Sequence, residues 1–348
     1  MESKYREALD AYNSYGSKKA AAEMLGLHRS TYRNRLQRAI ELSQEEGKPA
    51  PAGDDRPDIG PLPDGELSYE ELKAYRAKVF DRKVARVKAE KWRPIKFKNL
   101  DPVCITTFGD PHVDDDGCNW PQLARDTETV IKTPGMFGGS IGDQINNWIG
   151  RLAIKYADQS STESQAWRLS EGWIRELANP GKLIFLVRGN HDLWSGNGDP
   201  LDWIMRGVLA ADAEWQAQLE FRWPGVEPVR MWAAHDFPGH SQYNALHAMT
   251  KKHLWHGAQA DIYLAGHRHH WAISEEEDEA GNLVWKARAR GYKFIDEYAD
   301  RLGHSSQQHG ASISFVVQPR KSGPERIRAI PCVQEAAEYL TFCRQRAK

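Results

Sequence analysis

Apolar and polar residues alternate with a helical period through the first 45 residues. The apolar positions of the first stretch recur every three or four residues, at Tyr5, Ala8, Leu9 and Tyr12. This period predicts a helix over residues 4–15. Gly16 ends that helix, a second short helix stops at Gly26, and a third is predicted over residues 29–42. The pattern therefore indicates a small three-helix domain over residues 1–45.

The pattern then breaks in a segment rich in proline and glycine. Nine of the nineteen residues from Gly47 to Gly65 are proline or glycine. This composition predicts a linker over residues 46–66. A basic helix and a connector follow over residues 67–100, with nine lysines and arginines in residues 73–93. Such a helix either lies along nucleic acid or packs, solvated, on the domain that follows.

From residue 101 onward, short apolar runs alternate with helical patterns. The runs are 103–108, 136–141, 183–187, 229–234, 262–265 and 313–317. Helical patterns lie between them, at 121–132, 165–177 and 244–255, and another closes the chain at 334–347. The alternation predicts a layered α/β domain over residues 101–348.

Composition narrows the class of protein. A length of 348 residues suggests about two domains. The chain has no apolar run long enough to cross a membrane, and its first residues lack the apolar core of a secretory signal. Four scattered cysteines predict neither a disulfide framework nor a zinc ribbon. We therefore expect a cytoplasmic protein without a membrane partner.

The net charge of −1 hides an uneven distribution. Residues 1–100 carry 21 lysines and arginines against 16 acidic residues, a balance of +5, and the remainder carries 26 against 32, a balance of −6. This split predicts a basic arm that meets a polyanion and an acidic body that holds cations.

Polar clusters follow five of the predicted strands. They are Gly109-Asp110-Pro111-His112, Gly142-Asp143, Arg188-Gly189-Asn190-His191-Asp192, His235-Asp236 and Gly266-His267-Arg268-His269. Ligand sites of α/β sheets lie outside the carboxyl ends of strands, so we expect the clusters to converge. Carboxylate, amide and imidazole donors without a thiolate suit manganese, iron, zinc or magnesium, and seven candidates fit two ions.

The ordered set Asp-x-His, Gly-Asp, Gly-Asn-His-Asp, His and Gly-His-x-His resembles the signature of the calcineurin-like metallophosphoesterases. The resemblance implies a layered sandwich of two β-sheets flanked by helices. It further implies two divalent cations. Manganese is the expected metal, and zinc, iron and magnesium are the alternatives. The implied ligands are Asp110, His112 and His269 for one ion, Asn190, His235 and His267 for the other, and Asp143 for both.

The same resemblance implies a mechanism and three catalytic residues. A hydroxide bridging the two ions would attack phosphorus. His191 would protonate the leaving oxygen, Asp192 would orient His191, and Arg188 would hold a phosphate oxygen. A surface ion pair is the alternative for Arg188, and a helix cap is the alternative for Asp192.

The N-terminal string AAAEMLGLHRSTYRNRL resembles the helix-turn-helix of bacterial and phage DNA-binding proteins. Arginines of the third helix could then contact phosphates or bases, and these are Arg29, Arg33, Arg35 and Arg38. The alternative for the three helices is a protein-docking module. A helix-turn-helix joined to a phosphoesterase resembles phage or prophage phosphoesterases.

These features predict a two-metal phosphodiesterase with DNA as its partner. A nuclease or a DNA-associated phosphodiesterase is the first expectation. No arginine follows Gly142-Asp143 as it does in protein phosphatases, and His269 is a histidine that those enzymes usually lack. A phosphatase or nucleotidase acting on small molecules or proteins is the alternative enzyme. A DNA-binding regulator with a non-catalytic phosphoesterase fold is the alternative of another class. Arg288, Arg290 and Lys293 could line the substrate groove, or their region could be an ordinary edge hairpin and cap.

Overall fold

The computed structural model describes residues 1–45, 67–89, 92–195, 199–255, 260–295 and 309–347. The chain divides into two compact units, Met1–Ala74 and Tyr75–Lys348. The predicted linker over residues 46–66 lies outside the described residues. No helix of the described ranges has the length and apolar character needed to cross a membrane.

The first unit contains the three predicted helices, α1 (Ser3–Tyr15), α2 (Lys18–Met24) and α3 (Arg29–Glu45). Small side chains, including Ala8 and Ala21, are buried and let the helices approach closely. Tyr32 is fully buried, and its hydroxyl donates to the Ala8 carbonyl at 2.9 Å. This hydrogen bond fixes α3 against α1. Helix α4 (Tyr69–Ala89) runs across the division between the units.

The second unit contains two six-stranded sheets. One sheet has the order β12-β11-β2-β3-β4-β5, and the other has the order β1-β6-β7-β8-β10-β9. The strands are β1 (Arg93–Lys96), β2 (Val103–Phe108), β3 (Met136–Ser140), β4 (Leu183–Val187), β5 (Ala211–Ala213), β6 (Gln216–Arg222), β7 (Val229–Ala234), β8 (Ile262–Ala265), β9 (Ala272–Glu277), β10 (Leu283–Arg288), β11 (Ser312–Val317) and β12 (Ile327–Ile330). The predicted fold class, two sheets flanked by helices with a three-helix N-terminal domain, is confirmed.

Helices lie between and after the strands of the second unit. They are α5 (Trp120–Lys132), α6 (Glu163–Ala178), α7 (Asn190–Leu193), α8 (Pro200–Ile204), α9 (His247–Trp255) and α10 (Val333–Arg346), with 3-10 turns at Gly150–Asp158 and Gly323–Glu325. One core, with Ile105, Phe185 and Leu264, lies between the sheets. A second packs α5, α6 and α10 on the first sheet, and a third packs α9 on the other.

Strand direction decides where the site forms. Strands β2, β3 and β4 are mutually parallel, and so are β7 and β8 in the other sheet. The carboxyl ends of parallel strands share one edge of their sheet. The five polar clusters that follow these strands are therefore gathered from two sheets rather than from one.

Candidate metal centre

Six of the seven predicted ligands form two groups of donor atoms. Asp110, His112 and His269 make the first group, and Asp143, His235 and His267 make the second. Within each group the donor atoms lie within 4.8 Å of one another. Each group takes residues that follow strands of both sheets. The sequence prediction assigned the same residues to the same two groups, with Asp143 shared.

The donor atoms of the second group lie close together around His235. His235 is fully buried, and its Nε2 lies 3.0 Å from Asn190 Oδ1 and 3.0 Å from His267 Nδ1. Its other ring nitrogen lies 2.9 Å from the Ile141 carbonyl. Because a carbonyl only accepts, Nδ1 carries the proton and Nε2 faces the group, the arrangement typical of a metal-binding histidine. Asn190, the seventh predicted ligand, therefore joins this group.

The first group is less completely hydrogen-bonded. The backbone N–H of His267 donates to Asp110 Oδ2 at 2.7 Å. Asp110 Oδ1 and His112 Nδ1 are buried and have no hydrogen-bond partner among the described residues. Buried polar atoms are almost always paired, so these two indicate a missing partner. The donor set of this group fits a divalent cation, because carboxylate oxygen and imidazole nitrogen are its usual ligands.

Asp143 lies between the two groups. Its Oδ2 is 3.3 Å from His235 Nε2 on one side and 4.0 Å from His112 Nε2 on the other. The carboxylate is fully buried, with a side-chain exposure of 2%. A carboxylate in this position can contact an ion in each group.

The backbone at the ligands adopts an uncommon conformation. Among the described residues, five that are not glycine have a positive φ, and four of them are predicted ligands: His112 (42°), Asp143 (51°), His267 (65°) and His269 (49°). The fifth is Asn147, at 39°. A non-glycine residue in this conformation raises the free energy of the folded state by roughly 1–3 kcal/mol, and such residues cluster at functional sites. The strain therefore marks the same residues as the ligand geometry does.

Two glycines allow the loops to approach each other. A Cβ at Gly189 would lie 2.0 Å from Asp143 Oδ1, and one at Gly142, where φ is 114°, would lie 2.6 Å from His235 Nδ1. Only glycine fits such close approaches. The glycines beside the ligands therefore set the distance between Asp143, His235 and the loop that follows β4.

Burial and mutual charge shift the pKa values of the ligands strongly. Burial raises the pKa of Asp110 and lowers that of His112, each well away from its ordinary value. Burial also opposes the charge on His235, but Asp143 and Asp110 outweigh it and raise the pKa of His235 to about 10. Burial and the charge of His235 lower the pKa of His267 to about 4. A divalent cation would favour the ionised carboxylate and the neutral imidazole instead.

His191 lies beside Asp143. Its backbone N–H donates to Asp143 Oδ1 at 2.9 Å, and its Nε2 is 3.9 Å from Asp143 Oδ2. The ring centroids of Trp148 and Trp194 lie 5.3 Å and 4.2 Å from its own. Nδ1 contacts the Asn146 carbonyl closely, so Nδ1 donates and Nε2 points toward the ligands. Sequence reasoning missed Asn146, because its backbone carbonyl leaves no mark in the sequence.

Asp192 lies in the position of a helix cap, the alternative that the sequence left open for it. Its carboxylate accepts from the backbone N–H groups of Gln144 at 2.9 Å and Gly189 at 2.8 Å. It therefore caps the start of α7 and ties it to the loop after β3, while the Asn146 carbonyl orients His191. Burial and the neighbouring Asp143 raise the pKa of Asp192 to about 7.

Arg188 lies in a cluster of ion pairs. Its guanidinium is buried among three carboxylates, at 2.7 Å from Asp212, at 2.8 Å from Asp202 and in close contact with Asp199. Both terminal nitrogens contact carboxylates, which agrees with the ion-pair alternative for Arg188, although the guanidinium is buried and not at the surface. The cluster joins the end of β4 to α8 and β5.

The cations expected in a substrate groove also have partners within the protein. Arg288 Nη2 lies 3.0 Å from Asp236 Oδ1, and Lys293 Nζ lies 2.9 Å from Asp115 Oδ2. Arg290 Nε donates to the His269 carbonyl at 3.2 Å. These contacts support the loops that carry ligands.

The four arginines of α3 differ in exposure and in ion pairing. Arg29 and Arg33 are exposed and, four residues apart, share one face of the helix. Arg35 is half-buried, and Arg38 forms an ion pair with Glu41 at 2.8 Å. Arg29 and Arg33 are therefore the better placed of the four for contact with a polyanion.

A protein-family model matches the first unit of the chain. Residues 5–46 match the family model of the PucR C-terminal helix-turn-helix domain, which confirms the predicted helix-turn-helix. No curated protein matches the chain.

Three solved structures are similar to this chain. The calcineurin-like phosphoesterase YfkN from Bacillus subtilis is 11% identical, at a TM-score of 0.38, covering 71% of this chain and 97% of that one. TT1561 of Thermus thermophilus is 11% identical, at 0.37, covering 66% and 98%. Vps29 of Chaetomium thermophilum is 9% identical, at 0.33, covering 65% and 96%.

The architecture and the ligand groups agree with what the resemblance to calcineurin-like metallophosphoesterases implied. Two sheets flanked by helices carry the five ligand blocks at their strand ends. Two groups of donor atoms suited to divalent cations lie there.

Proposed function

We propose that the second unit hydrolyses phosphodiester bonds with two divalent cations. Asp110, His112 and His269 bind one ion, Asn190, His235 and His267 bind the other, and Asp143 binds both. The observation that carries the proposal is the convergence of these donors, from two sheets, into two groups. The uncommon backbone of four of the ligands supports it.

The residues around the metal centre have separate roles in the proposed reaction. Bound ions would supply Lewis acidity and an activated water, as in other two-metal hydrolases. Asp143 faces both groups and would therefore hold both ions. His191 handles the proton of the leaving oxygen at Nε2, since its Nδ1 is committed to the Asn146 carbonyl. Trp148 and Trp194 hold the His191 ring from either side.

Nucleic acid is the proposed substrate class, and DNA the proposed partner. The helix-turn-helix match and the exposed Arg29 and Arg33 support DNA contact by the first unit, with Arg35 and Arg38 as weaker contributors. The absence of an arginine after Gly142-Asp143 supports a phosphodiesterase over a protein phosphatase. A nuclease or DNA-associated phosphodiesterase that uses manganese in the cytoplasm of a bacterium or a phage-infected cell fits these features best.

A matched panel of substrates tests the proposal. The full chain is assayed with plasmid, single-stranded DNA, RNA, bis-p-nitrophenyl phosphate and p-nitrophenyl phosphate, each with manganese, magnesium or zinc. We expect hydrolysis of the diesters and of DNA, abolished by a chelator and restored by manganese. Preference for the monoester would identify a phosphatase instead. No hydrolysis with any metal, by a chain that retains two ions, would favour the DNA-binding regulator.

A further inference from the structure

A cavity of about 490 Å³ lies between the C-terminal helix and the edge of the first sheet. Its walls come from the loop after β11, from β12, from α10 and from the residues that precede β2. Small-molecule sites in proteins have volumes of roughly 300–1,000 Å³. The cavity is therefore large enough for a ligand of nucleotide size.

The lining is strongly cationic. Four basic side chains, Arg320, Lys321, Arg328 and Arg346, face a single carboxylate, that of Glu325. Lys321 pairs with this carboxylate at 3.0 Å. No ion pair joins any of the three arginines to a carboxylate of the described residues. Three guanidinium groups around one cavity are suited to a phosphoryl group, because their forked donors match its oxygens.

Two aromatic rings complete the lining. The Arg328 guanidinium lies 5.3 Å from the centroid of Tyr339, and that of Arg346 lies 4.7 Å from the centroid of Phe342. Contact with a ring restricts a guanidinium without using its hydrogen-bond donors. Phe342 is 49% exposed, so its surface is open to a further apolar or planar group. The cavity thus offers both anion donors and aromatic surface.

This cavity is separate from the metal centre. Val317 pairs with Val103 at the beginning of β2, whereas the first ligands follow Phe108 at the end of β2. Six strand residues between the two places correspond to about 17 Å. A ligand in the cavity would not contact the metal ligands.

We propose that this cavity binds a phosphorylated small molecule of nucleotide size. Arg320, Arg328 and Arg346 bind the phosphoryl group, and Tyr339 and Phe342 contact the organic part. This site is independent of the proposed hydrolysis, since none of its residues belongs to the metal centre.

Calorimetric titration of the full chain, treated with a chelator to remove divalent ions, tests the proposal. The probes are adenosine monophosphate, adenosine and orthophosphate, at physiological salt. We expect one equivalent of adenosine monophosphate to bind more tightly than either other probe. Arg328→Glu and Arg346→Glu should each weaken its binding at least about tenfold, because each removes charge-assisted hydrogen bonds.

Arg206→Glu is the matched control, because Arg206 is exposed and does not line the cavity. It should leave the affinity unchanged. All three charge reversals should retain hydrolysis of bis-p-nitrophenyl phosphate with metal restored, which shows that the variants fold. Absence of saturable binding, or binding that persists in both cavity variants, would overturn the proposal. Equal affinity for orthophosphate and adenosine monophosphate would refute the role of the aromatic rings.

Discussion

The two ligand groups differ in how strongly neighbouring residues hold their side chains in position. In the second group, His235 is fully buried, and both its ring nitrogens are within hydrogen-bonding distance of neighbours. In the first group, Asp110 Oδ1 and His112 Nδ1 lack partners among the described residues, and the His269 side chain is 30% exposed. In the second group, a hydrogen bond from Nδ1 to the Ile141 carbonyl fixes the orientation of His235, whereas the first group would be completed by a cation.

This difference predicts unequal metal affinities. A preorganised group loses less side-chain freedom on binding an ion, and hydrogen bonds behind the ligands raise affinity by roughly 10- to 100-fold in typical sites. We therefore expect the second group to fill before the first. Asp143 links the two, because it faces ligands of both. Substitutions can remove both ions, one ion or neither.

The largest effect is expected from Asp143→Ala, which removes a ligand from both ions. Hydrolysis of bis-p-nitrophenyl phosphate should fall by at least about a thousandfold. Metal content, measured by elemental analysis, should fall below one ion per chain.

Asp126→Asn is the control for loss of a buried carboxylate. Asp126 is buried, but it contacts Tyr292 and Gln334 instead of the ligands. The Asp126→Asn variant should keep both ions. Wild-type activity of the Asp143 variant would refute the two-metal interpretation.

His269→Ala should break the first group alone. His269 is its most exposed ligand, and the second group retains all of its members. We expect one ion per chain to be lost and activity to fall about a hundredfold, because one Lewis acid is missing. His247→Ala is the control, an exposed histidine at the start of α9. Loss of both ions from the His269 variant would show that the groups do not fill independently.

His191→Ala should lower turnover without removing an ion. Loss of a positioned proton donor costs about a hundredfold or more. Both ligand groups are intact in this variant, so elemental analysis should still find two ions per chain, the stoichiometry of a two-metal site. An accompanying loss of metal would mean that His191 is itself a ligand.

The smallest effect on chemistry is expected from deletion of residues 1–66. No predicted ligand lies in this segment, so hydrolysis of the small diester should be unchanged. Duplex DNA binding, followed by fluorescence anisotropy at low salt, should weaken at least about tenfold and depend less on salt, because fewer phosphates are neutralised.

Point variants refine this last prediction. Arg33→Ala should reduce the salt slope by about one, whereas Arg6→Ala, an exposed arginine of α1, should not. Equal DNA affinity of the full and deleted chains would identify the three helices as a protein-docking module.

The sequence predicts the central strands well and the outer ones poorly. The apolar runs that became β2, β4, β7 and β8 are bounded by polar clusters, and their predicted limits match the observed ones. β9 carries three consecutive glutamates on the exposed edge of its sheet, so its composition does not resemble a strand. β1, β5, β6, β10 and β12 were missed too, because pairing partners rather than their own residues make them strands.

The sequence identified which residues gather at the metal centre, but not what holds them there. The ligand blocks are recognisable because carboxylates and imidazoles follow apolar runs. The positive φ of His267 is imposed by the surrounding loops, since histidine adopts it only uncommonly. The partners of Arg188 lie eleven to twenty-four residues further along the chain, and only the folded structure brings them together.

Each ligand group also joins the two sheets to each other. Asp110, His112, Asp143 and Asn190 follow strands of one sheet, whereas His235, His267 and His269 follow strands of the other. A bound ion would therefore act as a cross-link across the sandwich, and its binding free energy would add to the stability of the folded state. Metal supply would then govern the resistance of this protein to heat and proteolysis, in addition to its catalysis.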